Sequence, residues 1–389
     1  MEPRHEGERA DSGPDPDGGA PGAWLFVDNY KDTGIGAFGH TLFGAMRGID
    51  ARGRLEFTQT TILRGLAQCL RLGRYRGPVV ANVGLTSWGR SKVLNLVAFL
   101  VLGARSFAGR RTVLLLHNVV EVTEEGDTGY RVGYLIRLGA SLALRSNARA
   151  TVVVFSRAIR EVLTEKYEIP DVTYYPLPCP PVCPETSNPG PDARPVVVSL
   201  GYLSPYKGIE KLLDAYPDFR EVADLLVIGR PHPVLLSDPN YARTIDRLVA
   251  RMSELGVSYI PFVADDQLCS VLAGCRVGIL PYTSTTGTSA SFTTLAAAGL
   301  PVIATNLREF QELSRDGAGI RLTDGDPRSL AHSVRDLLRQ PTEVETLSRS
   351  QFAYAAAHRL EVTATHVIDR VRGQRPRVPE VRRLHAPRR

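Results

Sequence analysis

Lysine is scarce in this chain of 389 residues: five, at positions 31, 92, 166, 207 and 211, stand against 42 arginines. Such a skew follows genome composition more often than recognition, so arginine type alone marks no site. Cysteine is sparse and odd in number, at 69, 179, 183, 269 and 275, which does not resemble a secreted disulfide framework. Cys179 and Cys183 sit in a proline cluster with no second Cys or His pair nearby, so no zinc site is expected there. A signal-peptide-like apolar stretch is lacking at the polar, acidic start. The longest apolar run, Val93 to Ala104, is broken by Asn95 and falls short of the roughly 20 residues that span a bilayer. The expectation is a soluble, cytoplasmic protein without metal.

What is present is a globular composition, 43% hydrophobic and 23% charged, in a length that suits two domains. The net charge of +6 is mostly a tail. Residues 372–389 carry seven Arg and one Glu, whereas residues 1–22 carry six acids and two Arg. A solvated end explains the tail, and no specific nucleic-acid partner is expected.

Residues 1–22, rich in Gly, Pro, Asp and Glu, predict a disordered N-terminal tail. Short apolar runs at Trp24–Asp28, Pro78–Val83, Thr112–Leu116 and Thr151–Phe155 predict buried strands. They alternate with helical periodicities such as Phe38, Leu42, Ala45, Met46 and Ile49, as in a parallel sheet covered on both faces. Residues 176–195 hold eight prolines, too many for a regular element. Alternation resumes with strands at Val196–Leu200, Leu225–Ile228, Ser258–Phe262, Val277–Leu280 and Pro301–Thr305, and a last helix is expected at about 350–371. The division is a first domain over 23–177, a Pro-rich linker over 178–194, a second domain over 195–345, a C-terminal helix over 346–371 and an Arg-rich tail over 372–389.

Ligands of open parallel sheets bind at the carboxyl ends of strands, beside helix N-termini. Three loops have suitable composition: Asp28–Gly39 with Gly34, Gly36 and Gly39; Gly201–Gly208 with Lys207; and Pro281–Ala290, rich in hydroxyls. Each has a bland counterpart in packing, a solvated lysine or helix capping. The second domain resembles family 4 glycosyltransferases of the GT-B fold. The resemblance rests on Gly201–Gly208, Leu226–Gly229, Ala273–Pro281, Ala296-Ala-Ala-Gly-Leu-Pro-Val-Ile-Ala-Thr305, Glu312, Asp316-Gly-Ala-Gly319 and Asp326–Ala331. It implies two Rossmann-like, doubly wound α/β domains facing a cleft. The implied activity is that of a hexosyltransferase, moving sugar from a nucleotide-diphosphate sugar to a glycan, lipid-linked or small-molecule acceptor, with retention and without metal. Polysaccharide biosynthesis is one setting the resemblance suggests.

By the same resemblance, Lys207 contacts the diphosphate, as do backbone amides of Thr286, Gly287, Thr288 and Ser289. Gly201 opens the lysine loop, Gly229 leaves room beside the nucleotide, and Phe262 and Val263 lie against its base. In the first domain Gly34 and Gly36 face the diphosphate, and His117 lies near the donor sugar, a hydrogen-bonded edge histidine being its competing reading. The family commonly carries two Glu where this chain has Thr286 and Thr294, and Tyr202 replaces a common Arg. Arg230 is a candidate for the missing cation. Residues 88–111 combine Val93, Leu94, Leu96, Val97 and Leu100 with Arg90, Lys92, Arg105, Arg110 and Arg111. That pattern suits a core helix or a peripheral, membrane-lying one. A non-catalytic homologue that binds nucleotide sugar or a partner enzyme is the alternative function, because the two Thr remove carboxylates.

Overall fold

The computed structural model describes residues 23–28, 34–59, 61–83, 91–117, 150–183, 193–232, 235–284 and 288–374. Within them the chain builds two six-stranded sheets, and the strand pairs in both are parallel. The first contains β1 (Trp24–Asp28), β2 (Gly53–Phe57), β3 (Val79–Val83), β4 (Thr112–Leu116), β5 (Ala150–Val154) and β6 (Val172–Tyr174). Their spatial order is β2-β1-β3-β4-β5-β6. β3 and β4 are buried along their whole length, as strands covered on both faces must be. One face packs on α2 (Ile62–Arg74) and α3 (Lys92–Phe107) through Cys69, Leu72, Leu94 and Leu102.

The second sheet contains β7 (Val196–Leu200), β8 (Asp224–Ile228), β9 (Ser258–Ile260), β10 (Val277–Leu280), β11 (Val302–Thr305) and β12 (Ile320–Thr323). The order is β12-β11-β10-β7-β8-β9. On one face lie α5 (Ile209–Phe219), α6 (Pro239–Leu255) and α10 (Pro327–Leu338). On the other lie α7 (Asp265–Ala273), α8 (Ala290–Ala297), α9 (Arg308–Arg315) and part of α11 (Pro341–Ala357). Asp265 and Asp266 form the first turn of α7, where negative charge suits the helix dipole.

The remaining face of the first sheet is covered by α1 (Gly34–Ile49) and by the chain's last described helix, α12 (Leu360–Arg372). Ala364, Val367, Ile368 and Val371 of α12 share a core with Trp24, Phe26, Leu42, Met46, Val113 and Leu115. Each buried valine or isoleucine there contributes about 1.5–3 kcal/mol, so a C-terminal element stabilises the N-terminal domain. The single helix expected at 350–371 is broken: His358 leaves helical geometry at φ −114°, ψ 45°. The break allows Cys179 N–H to donate to the His358 carbonyl at 2.8 Å, with an isolated bridge between Cys179 and Arg359. The chain thus crosses between domains twice, side by side.

Two ion-pair groups tie the domains near this hinge. Arg157, which opens α4 (Arg157–Glu161), meets Asp316 at 2.7 Å and lies over the Tyr174 ring at 4.9 Å. Arg308 of α9 pairs with Glu161 and, at 3.0 Å, with Glu312. Arg157 is more than a third exposed, so a double-mutant cycle of Arg157→Ala and Asp316→Ala is expected to give a coupling of about 0.2–1 kcal/mol. Chemical denaturation measures it, and 1 M salt should reduce it towards zero.

Two further expectations change. Cys183 is bonded to Cys269, although 86 residues separate them; the chain after the crossover, anchored by Cys183 N–H on the Ala297 carbonyl, passes α7. The basic residues near α3 mostly serve the fold. Arg105 is buried, its guanidinium donating to the carbonyls of Leu72, Tyr75 and Gly77. Arg110 donates to Gly73 and Arg111 to Val371. These three are therefore tied to backbone oxygens, while Arg90 and the side chain of Lys92 lie outside the described residues. No helix among the described residues is long and apolar enough to cross a membrane.

Candidate functional site

Strand order identifies where each sheet can bind. In the second domain the order reverses between β7 and β10, and the crevice outside the carboxyl ends at such a switch point is the usual ligand position. The two loops leaving those strands interlock. After β7, Gly201 takes φ 129°, and Pro205–Lys207 form one tight helical turn ended by Gly208 at φ 68°. A Cβ on Gly208 would lie 1.8 Å from the Pro281 carbonyl oxygen. Only glycine combines that backbone angle with such an approach, and the outcome is that Lys207 points under the loop after β10.

There its ammonium bonds the Tyr282 hydroxyl and reaches Ser291 Oγ at 3.2 Å, with the Tyr282 ring centre 4.0 Å away. Tyr282 is 2.8 Å from Ser289 Oγ, and Ser289 caps α8 by accepting from Phe292 N–H at 3.2 Å. The expected association of Lys207 with the start of this helix is present, with a difference of depth. Lys207 is 8% exposed, embedded in the crevice wall instead of standing free within it. Burial lowers its pKa, opposed by the nearby Tyr206 and Glu309; burial also raises that of Tyr282. A desolvated cation bonded to neutral hydroxyls, beside the positive end of a helix whose first turn has no acid, is suited to an anion.

Gly201 belongs to this cluster: a Cβ would meet Ser291 Oγ at 2.5 Å and Lys207 Nζ at 3.5 Å. Gly229 takes φ 153°, and a Cβ there would lie 1.8 Å from the Gly201 carbonyl oxygen. It lets adjacent strand ends pass. Arg230 lies 5.7 Å from the Tyr202 ring and 5.9 Å from that of Phe262, and Phe262 is 66% exposed, with Val263 half-buried beside it. Thr294 donates its hydroxyl to the Ala290 carbonyl at 3.0 Å. Thr286 and Gly287 lie outside the described residues.

In the first domain the switch lies between β1 and β3. The glycine loop expected to reach Gly39 is shorter, because α1 begins at Gly34 and places Gly34 and Gly36 in its first turn. His117, just after β4, is buried with its Nε2 2.6 Å from Asn82 Oδ1. Asn82 donates to Asp28 Oδ1 at 2.7 Å. Asp28, Asn82, Tyr282, Ser291 and Glu309 are site members that sequence reasoning did not select. Asn82 had a signal, as an amide inside an otherwise apolar strand, Val-Val-Ala-Asn-Val.

The two walls meet. A narrow pocket is lined by Ser156 and Tyr174 from the first domain and by Ser289, Thr293, Glu309 and Glu312 from the second. Ser156 follows β5, Ser289 follows β10 and Glu309 follows β11, so carboxyl ends of both sheets face this cleft. Among the described residues, no group of three or more His, Cys, Asp or Glu converges as a metal site.

Residues 194–340 match the family described as Glycosyl transferases group 1. Over those residues the second domain is similar to that family. HepE of Anabaena, solved with UDP and glucose, is similar over 90% of this chain and 99% of its own at 17% identity and a TM-score of 0.66. Sucrose-phosphate synthase of Thermosynechococcus elongatus is similar over 90% and 98% respectively, at 14% identity and a TM-score of 0.67. A search of curated proteins gives no match. These likenesses, with the two parallel sheets, make the fold GT-B, and the stretch that matches the group 1 family lies on the side of the cleft that holds Lys207.

Proposed function

We propose that the protein transfers a hexosyl group from a nucleotide-diphosphate sugar to a glycan, lipid-linked or small-molecule acceptor, with retention and without a metal ion. The observation that carries this reading is the Lys207 ammonium on Ser291 and Tyr282, at the start of α8 and at the switch point of the group 1 domain. Cleavage of the donor leaves negative charge on the departing diphosphate. A fixed cation and oriented backbone amides stabilise that charge best when they are already desolvated, as Lys207 is. The amides of Thr286, Gly287, Thr288 and Ser289 complete the diphosphate site, Gly34 and Gly36 face it from α1, and His117 lies by the sugar. Gly201 and Gly229 shape the nucleotide's side of the crevice, Phe262 and Val263 lie along the base, and Arg230 adds charge beside them. Thr294, at a position that carries Glu in the family, faces the nucleotide. We place the reaction in the cytoplasm, with peripheral membrane association through the exposed Val93, Leu100 and Phe107 of α3.

The test is a thermal-shift screen of uridine, guanosine, adenosine and thymidine diphosphates and their sugars. UDP leads because HepE binds it. A stabilising nucleotide sugar that releases nucleotide only when acceptor is added is the expected result. Absence of any shift across all four bases would remove the reading.

A further inference from the structure

Asp28 ends β1, Asn82 lies in β3 and His117 follows β4. Because β1, β3 and β4 are neighbours in the sheet, the three side chains form a row across the first domain's switch point. The Asn82 amide nitrogen donates to Asp28 Oδ1 at 2.7 Å. A carboxamide has one donating end and one accepting end. With the nitrogen on Asp28, the end that faces His117 is the carbonyl oxygen, 2.6 Å from Nε2, and it can only accept. The proton of that bond therefore resides on Nε2.

We propose that Asp28 and Asn82 are positioning residues that hold His117 as the Nε2–H tautomer, presenting Nδ1 as an acceptor for a hydroxyl of the transferred sugar. This inference rests on the sugar-transfer reading for the identity of the hydroxyl, though not for the tautomer. Three features keep the row rigid. Gly39 lets α1 press onto it, since a Cβ there would lie 2.1 Å from Asp28 Oδ1 and 2.2 Å from Asn82 Nδ2. Phe38 of α1 and Phe155 at the end of β5 pack on the imidazole, ring centres 5.1 and 5.0 Å away. Burial pushes the imidazole pKa down to about 3, so the ring is neutral where the enzyme works. Among the described residues, the groups facing it are the Asn82 amide and two phenylalanines, with the Asp28 carboxyl group behind the amide. A neutral ring whose Nε2–H is already committed does not stabilise phosphate charge or protonate a leaving group. It accepts a hydrogen bond and orients what donates it.

Nitrogen NMR of the full chain labelled in histidine, with His117→Ala to assign the signal, reads the tautomer directly. The expected spectrum shows His117 as Nε2–H and neutral from pH 5 to 8. A protonated ring or an Nδ1–H tautomer overturns the proposal. UDP-glucose is expected to move the Nδ1 resonance and UDP alone to leave it. If UDP binds and UDP-glucose does not move Nδ1, the sugar contact is wrong. If neither ligand binds, the functional reading fails for uridine donors and takes this contact with it, while the tautomer claim is still decided by the free enzyme. Asn82→Asp places an acidic group on Nε2 and should bring His117 titration into the near-neutral range. It should lower kcat/KM for transfer on the order of 10- to 100-fold and leave UDP affinity unchanged, because the nucleotide is held by the other domain. Transfer at the wild-type rate by an Asn82→Asp enzyme with a charged His117 overturns the positioning role. Should that variant not fold, Asp28→Asn offers the same reading, since a second amide allows Asn82 to turn over and Nδ1–H to appear.

Discussion

Lys207→Met is expected to lower kcat of sugar transfer by about 100- to 1,000-fold, while the protein folds and melts much as before. The end of the side chain lies against the Tyr282 ring, Ser291 and Gly201, and methionine follows the same path with a similar unbranched side chain. The lost ammonium removes little stability, because folding already disfavours its charge: burial is the leading cause of its lowered pKa. Of the two hydroxyls it leaves behind, that of Tyr282 keeps Ser289 as a partner at 2.8 Å. The loss should therefore appear at the step in which charge accumulates on the diphosphate, reducing kcat more than donor affinity. Arginine should not restore the activity. A planar guanidinium is larger than an ammonium and demands an in-plane fork of acceptors, whereas this pocket offers two hydroxyls and a ring face. Steady-state kinetics with a thermal melt on the same samples decides the matter. A methionine enzyme within a fewfold of wild-type turnover would separate Lys207 from the leaving group.

The parts of this architecture legible in the sequence are those buried on both sides. Trp24–Asp28, Thr112–Leu116, Val196–Leu200 and Val277–Leu280 are strands with the expected bounds, because interior strands of a parallel sheet must be apolar on both faces. The strands that escape sequence reading, Gly53–Phe57, Val172–Tyr174 and Ile320–Thr323, are all sheet edges. An edge strand is solvated along one side, so its residues, such as Arg54 and Glu56, carry no continuous apolar signal. The destination of the last helix is equally silent. Val367, Ile368 and Val371 announce an amphipathic helix, but nothing in their spacing says that it packs on the first sheet across the hinge. Lys207 is visible by its place between a glycine turn and a helix. Its depth is not, because that depends on Tyr282 and Ser291, more than seventy residues away. His117 follows the same logic: its position at a strand end is local, whereas its tautomer depends on Asn82 and Asp28 in two other strands.

Loss of the Cys183–Cys269 bond, by reductant or by Cys183→Ser, is expected to lower the melting temperature of the second domain by about 5–10 °C. The bond joins residues 86 apart in sequence, and closing a loop of that size removes about 2–4 kcal/mol of unfolded-chain freedom in typical cases. Each kcal/mol corresponds to about 2–4 °C in a domain of this size. The pairing is also selective. Cys69, Cys179 and Cys275 are free but buried, with thiol pKa values pushed by burial up to about 11, 12 and 12; a thiol that rarely ionises is a poor nucleophile for exchange. Peptide mapping without reduction should therefore recover one linked pair and three free thiols. The bond matters beyond stability because Cys269 sits in α7, which begins directly after Phe262 and Val263. Releasing it unpins the segment proposed to lie along the base, so nucleotide affinity should weaken together with the melting temperature. In a reducing cytosol the same pair stands as a dithiol, and the two effects would then appear on oxidation, with the opposite sign. A melting temperature and a nucleotide affinity that ignore both reductant and Cys183→Ser would show that the backbone bond to Ala297 of α8 suffices to hold the crossover segment and that the disulfide does not fix α7.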